Sequence, residues 1–146
     1  MDVQVEIAGD VGPELVDAFG RLLPQLSSTA APLDHAAVER MVGCEANTVL
    51  VARVAGTIVG TLTLVLLPLP AGVRGRIEDV VVDRDARGRG IAGRLVQEAL
   101  RIAAEAGART VDLTSRPDRE AANRLYERIG FQARRSRVYR FPVERP

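Results

Sequence analysis

Val80-Val-Val-Asp-Arg-Asp-Ala-Arg-Gly-Arg-Gly-Ile-Ala-Gly-Arg-Leu95 is the stretch that decides how this chain is read. A β-branched run ends at Val82, a charged loop follows, and glycines open a helical pattern. Gly88 and Gly90 leave backbone N–H groups uncovered by side chains. The first N–H groups of a helix lack intrahelical partners and sit at the positive end of its dipole. Together these make a site for a phosphate or pyrophosphate, with Arg87 and Arg89 adding charge beside it.

Working outward, Arg76–Val82 reads as a strand and Arg89–Ala106 as a long helix. Ile91, Leu95, Ala99, Ile102 and Ala106 are stacked at helical spacing, and Gly107 stops the helix. Thr110–Leu113 is the next strand, so Arg76–Leu113 forms one βαβ unit with a parallel crossover. Upstream, Val3–Ile7 alternates as a strand, and Asp10 and Pro13 open an amphipathic helix carrying Leu15, Val16, Phe19, Leu22 and Leu23. Ser27–Pro32 is a loop, and Asp34 caps a second helix ending near Gly43. Thr48–Val54, the turn Ala55–Gly56 and Thr57–Leu67 form a hairpin. Pro68–Gly75, with two prolines and two glycines, predicts a loop. Downstream, Asp118–Ile129 is a helix closed by Gly130, and Phe131–Gln132 and Val138–Val143 predict closing strands. The sum is a mixed α/β fold on one sheet, mostly antiparallel, in a single domain over 1–146.

Composition narrows the chemistry. The 146 residues are 47% hydrophobic and 27% charged, ordinary for a folded soluble domain. Leu62–Leu69, the longest apolar run, is far short of the ~20 residues of a membrane span. Met1–Asp10 holds acids and no apolar core of a signal peptide, so the cytoplasm is the expected location and no membrane partner is expected. One cysteine, Cys44, and one histidine, His35, leave no disulfide and no histidine- or cysteine-based metal site; no metal is expected. Cys44 reads as a packing residue near a helix end and His35 as a surface residue. All 20 basic residues are arginine, which removes lysine nucleophiles and the P-loop lysine. The net charge of +1 argues against a nucleic-acid partner.

Gly88, Gly90 and Gly93 also fit the dinucleotide-binding spacing G-x-G-x-x-G, with Asp112 placed 19 residues on as a ribose ligand. Five residues, Asp83–Arg87, separate strand from first glycine, where that fold allows almost none. Only 34 residues follow Asp112, too few to finish a doubly wound sheet. The antiparallel first half is wrong for it as well.

Arg87-Gly88-Arg89-Gly90-Ile91-Ala92 instead resembles the Arg/Gln-x-x-Gly-x-Gly/Ala signature of the GNAT (GCN5-related N-acetyltransferase) superfamily. A second segment, Asn123-Arg-Leu-Tyr126-Glu-Arg-Ile-Gly130-Phe131, is similar to the family's downstream motif. The order of elements matches along nearly the whole chain. Gly75-Arg-Ile-Glu-Asp-Val-Val-Val82 further resembles the matching strand of glucosamine-6-phosphate N-acetyltransferases. The resemblance implies a splayed parallel strand pair that holds acetyl-CoA. Its pantetheine arm would pair with backbone of the Val80, Val81 and Val82 strand, and its pyrophosphate would lie on Arg87, Gly88, Arg89, Gly90, Ile91, Ala92 and Gly93. It also implies a small-molecule amine acceptor, direct transfer in a ternary complex, and leaves self-association as a homodimer open.

Transfer of an acetyl group to an amine needs a neutral amine, a stabilised oxyanion and a proton for the departing thiolate. By the resemblance Tyr126 is the general acid and Asn123 a hydrogen-bonding partner of the cofactor arm. Tyr126 also shares a helix face with Ala122 and Ile129, so the alternative is a core residue with a wet hydroxyl, but the motif match favours catalysis. Glu78 and Asp79 are acids inside an apolar run and need a partner or a role. Strict alternation puts Glu78 on one face with Val80 and Val82, which makes Glu78 the candidate base, against a plain ion pair with an arginine. Arg134, Arg135 and Arg137 could hold an acidic acceptor or the 3′-phosphate of CoA, or lie in a solvated turn. A non-catalytic acyl-CoA sensor is the alternative function, and the acceptor itself is not legible.

Overall fold

A computed structural model describes residues 2–143, and the chain divides between Thr114 and Ser115 into two compact units. The first unit is one five-stranded sheet in the order β1-β2-β3-β4-β5. Its strands are β1 Val3–Ile7, β2 Asn47–Val54, β3 Thr57–Leu69, β4 Gly72–Val82 and β5 Val111–Asp112. The first four run antiparallel, and β4 and β5 run parallel. The helices are α1 Pro13–Leu26, α2 His35–Gly43 and α3 Ile91–Glu105.

Period-two patterning in the strands sorts the two faces. Val49, Val51, Ile58 and Val81 pack with Leu15, Ala18, Phe19 and Leu22 of α1 and Val38 of α2. On the other face, α3 buries Ile91, Leu95, Val96, Ala99 and Ala103. Its approach is so close that a Cβ on Gly60 would meet Leu95 and Ile91 at 3.3 and 3.4 Å. Val96 and Ala103 replace the expected Ile102 and Ala106 in the buried stripe. The helix begins at Ile91 rather than Arg89, because Gly90 adopts a left-handed φ of 76° and acts as its N-cap.

Asp34 does cap α2, its carboxylate accepting from the Ala37 N–H at 2.8 Å. Ala55 and Gly56 turn the β2–β3 hairpin, both with positive φ, as a two-residue turn of this hand requires. The expected loop over Pro68–Gly75 is not there. The β3–β4 ladder runs on to Leu69↔Gly72, with Pro68 opposite Val73. The prolines fall at the far end of the ladder, where a missing donor costs little, and Gly72 supplies φ 122° for the tight turn.

One irregularity in β4 overturns the alternation argument. Thr63 stands opposite Glu78 and Thr61 opposite Val81, so Leu62 alone faces Asp79 and Val80. This is a β-bulge, and Asp79 takes a left-handed φ of 52° within it. The extra residue shifts the period by one. Glu78 therefore shares the α1 face with Val81, whereas Val82, opposite Gly60, lies on the α3 face with Val80. The expected common face for Glu78, Val80 and Val82 is corrected accordingly.

The second unit contains α4 Glu120–Ile129, two residues shorter than expected. Gly130, at φ 124°, closes it, with N–H bonds from Gly130 and Phe131 to the Tyr126 carbonyl at 3.1 and 2.9 Å. The closing strands expected at Phe131–Gln132 and Val138–Val143 are absent; 131–143 form no helix or strand. Val138, Tyr139, Phe141 and Val143 are exposed there. A period-two pattern says which side chains would share a face, but a strand also needs a ladder partner.

Candidate active site

The parallel ladder between β4 and β5 spans only Gly75↔Val111 and Arg76↔Asp112. From Ile77 to Val82, β4 has no strand beside it on that edge among the described residues. Asp83 donates its N–H to Val59 O at 2.7 Å, and Val81 pairs with Thr61, so both turn toward β3. Val80 and Val82 alternate with them and present main chain to the open edge. Arg87 Nε donates to the Val82 carbonyl at 3.1 Å. Val81 itself is buried against α1.

The strand runs directly into the glycine loop. Asp83 caps a single 3-10 turn, Arg84–Ala86, by accepting from the Asp85 N–H at 3.3 Å. Gly88 and Gly90 follow with φ of 79° and 76°. Chain neighbours aside, no atom of the described residues lies within 4 Å of a Cβ built on either, which leaves the backbone there accessible to a ligand. The first intrahelical bond of α3 is Arg94 N–H to Gly90 O at 3.1 Å. The N–H groups of Ile91, Ala92 and Gly93 precede it and are the helix's orphan donors. Ile91 anchors the turn with its buried side chain, while Ala92 and Gly93 are part-exposed. Arg87 and Arg89 are exposed. An open strand edge leading to orphan N–H groups and arginines fits an elongated ligand with a diphosphate at one end.

The acids sit beside this edge. Arg76 Nε donates to Glu78 at 2.7 Å and Arg76 Nη2 to Thr114 Oγ1 at 2.8 Å, so Glu78 does have the arginine partner that sequence held in reserve. Asp79 has none among the described residues; burial, and then the neighbouring Glu78 charge, push its carboxyl above the ordinary range. A raised carboxyl pKa stabilises the fold below the ordinary carboxylate value, and that contribution is lost as pH rises through the folded value. Asp79→Asn, uncharged throughout and tolerant of positive φ, is expected to raise Tm at neutral pH. Its effect should shrink toward zero near pH ~3; a gain that stays constant with pH would leave only the backbone term.

In the second unit, Tyr126 is 9% exposed and packs edge-on against Phe131, ring centroids 5.9 Å apart. Burial raises its phenol above the usual value, opposed by the charge of Arg119. It therefore stays protonated near neutrality and can donate. Asn123 Nδ2 donates to Arg116 O at 3.0 Å, which fixes the amide one turn ahead of Tyr126. Arg134, Arg135 and Arg137 are exposed.

His35 donates from Nε2 to Val11 O at 3.2 Å and pairs with Glu39, as a surface residue would. Cys44 is exposed, not packed, because α2 ends at Gly43 and Cys44 is its C-cap. No group of three or more His, Cys, Asp and Glu residues suited to a metal occurs among the described residues. Sequence reasoning missed the bulge at Asp79 and missed Arg21 and Gln25, which reach the Asp83–Arg84 turn from α1. Nothing local in the sequence marks either, since both depend on pairing between distant segments.

A family model described as "Acetyltransferase (GNAT) family" matches residues 16–131. N-alpha-acetyltransferase 30 of Schizosaccharomyces pombe is 39% identical over 69 residues, 47% of this chain and 45% of that protein. A probable glucosamine 6-phosphate N-acetyltransferase 2 of Oryza sativa subsp. japonica is 45% identical over 60 residues, 41% of this chain and 34% of that protein. The chain matches less than half the length of these curated relatives. An acetyltransferase structure from Trypanosoma brucei superposes with a TM-score of 0.79 at 28% identity, covering 97% of this chain and 100% of that one.

Proposed function

This chain belongs to the GNAT acetyltransferase family, and from that premise we propose that it is an N-acetyltransferase that moves an acetyl group from acetyl-CoA directly to a primary amine. The observation that carries this reading is the β4 edge, open from Ile77 and continuous with the left-handed glycines Gly88 and Gly90. The whole chain, 1–146, acts as one acetyltransferase domain in the cytoplasm. No helix among the described residues is long and apolar enough to cross a membrane.

Acetyl-CoA supplies a thioester carbonyl to be attacked and a thiolate to leave. Main chain of the Val80–Val82 strand pairs with its arm, with Val81 fixing the strand from behind. Arg87, Arg89 and the N–H groups from Gly88 to Gly93 hold its pyrophosphate. Asn123 hydrogen-bonds the arm. Tyr126 donates its phenolic proton to the departing sulfur. Glu78, held by Arg76, orients the amine, and Asp79 takes its proton, directly or through water. A base with a raised pKa suits that task.

The acceptor is a small amine or amino sugar. Support comes from the Gly75–Val82 string and the similarity to the amino-sugar enzyme of Oryza sativa. The similarity to N-alpha-acetyltransferase 30 favours a second reading, a peptide N-terminus. Acetyl-CoA at about 100 times its Kd should add roughly 2.7 kcal/mol, raising Tm by roughly 5–10 °C. NADH should not; a shift with NADH alone would revive the dinucleotide reading. Release of CoA thiol in a screen of amines, amino sugars and peptides then identifies the acceptor. Acetyl-CoA binding without turnover on any amine would instead support the sensor.

A further inference from the structure

The loop proposed to hold the pyrophosphate is fixed from α1, not from the sheet alone. Gln25, in the last turn of α1, accepts a hydrogen bond from the Arg84 N–H at 2.8 Å through Oε1. Its Nε2 donates to Arg21 O at 3.2 Å, so the two ends of the amide have fixed, opposite jobs. One turn earlier, Arg21 donates to Ile58 O and lies 3.5 Å from the Asp83 carboxylate. Asp83 is 17% exposed in its side chain and caps the Arg84–Ala86 turn, whose end is Arg87. Arg84 N–H is the first donor of that short turn and has no partner within it. Gln25 is therefore the group that satisfies it, from 59 residues away in sequence.

We propose that Gln25 is a positioning residue for acetyl-CoA, aiming Arg87–Gly90 at the pyrophosphate, with Arg21 as its neighbour in the same clamp. This rests on the acetyltransferase reading above. The clamp acts on the loop and not on the open β4 edge. Its loss therefore weakens ligands that carry the pyrophosphate and spares those that have only the acylated arm.

The test compares wild type, Gln25→Leu and Gln25→Glu by calorimetric titration with acetyl-CoA and by NMR titration with S-acetylpantetheine, which lacks the diphosphate. Leucine keeps the bulk and removes the acceptor; glutamate keeps an acceptor for the Arg84 N–H. Gln25→Leu should bind acetyl-CoA about five- to tenfold more weakly, the effect of one hydrogen bond. Gln25→Glu should stay within about twofold of wild type, and S-acetylpantetheine should bind all three alike. Equal weakening for both ligands, or for both variants, would mean a general structural effect and overturns the proposal. So does unchanged acetyl-CoA affinity in Gln25→Leu. Failure of wild type to bind acetyl-CoA is a different result: it overturns the acetyltransferase reading itself, and this inference with it.

Discussion

Gly90→Val is expected to weaken acetyl-CoA binding by about 10²-fold or more while the domain still folds. The reason is conformation and access, not crowding within the protein. Gly90 has φ 76°, and, chain neighbours aside, nothing among the described residues lies within 4 Å of a Cβ placed on it. A β-branched residue strains that backbone by about 1–3 kcal/mol, a loss a domain of typical stability survives. The new side chain would fill the opening above the orphan N–H groups of α3 and keep a pyrophosphate off them. A matched control exists at the other end of the helix. Gly107 has φ 80° and is equally open, so Gly107→Val carries similar strain away from the loop. Calorimetry on both variants separates the two causes: comparable affinity loss in each would mean that strain alone acts, and the loop would lose its assignment.

Tyr126→Phe is expected to lower kcat by about 10²-fold with little change in acetyl-CoA affinity. The substitution removes one hydroxyl and leaves the edge-on contact with Phe131 in place, so the thermal midpoint should hardly move. Burial holds the phenol above its usual pKa, so wild type keeps the proton across the neutral range. A general acid acts only as the thiolate departs, so its loss appears in kcat and not in binding. If kcat is retained on the acceptor identified by the screen, Tyr126 is a packing residue with a polar tip. A drop in kcat matched by an equal drop in stability would point the same way.

The two-sided sheet, both long helices and the strand-to-glycine entry into α3 were legible because each rests on local periodicity and turn chemistry. Asp34 as a cap and Ala55–Gly56 as a turn are local in the same sense. Expectations failed where pairing decided. Pro68–Gly75 looks like a loop from composition, yet a hairpin carries it because Leu67–Leu69 finds Gly72–Arg74 across the ladder. Val138–Val143 has a strand's alternation and forms none. Glu78 was placed by strict alternation, and one bulged residue moved it to the α1 face.

The sequence by itself determined the glycine turn that opens α3. Left-handed backbone at Gly88 and Gly90, followed by a helix start, is a property of glycine and of the helix terminus wherever they occur. It also determined the Asn123–Tyr126 helix, through spacing alone. Tertiary structure alone decided which acid is held by an arginine, which strand edge stays open and what steadies the loop. Arg76 meets Glu78 and Thr114, β5 leaves β4 after two residues, and Gln25 caps Arg84 because segments distant in sequence pack together. A one-residue shift in strand register reverses which face a side chain occupies, and no short-range pattern fixes that shift.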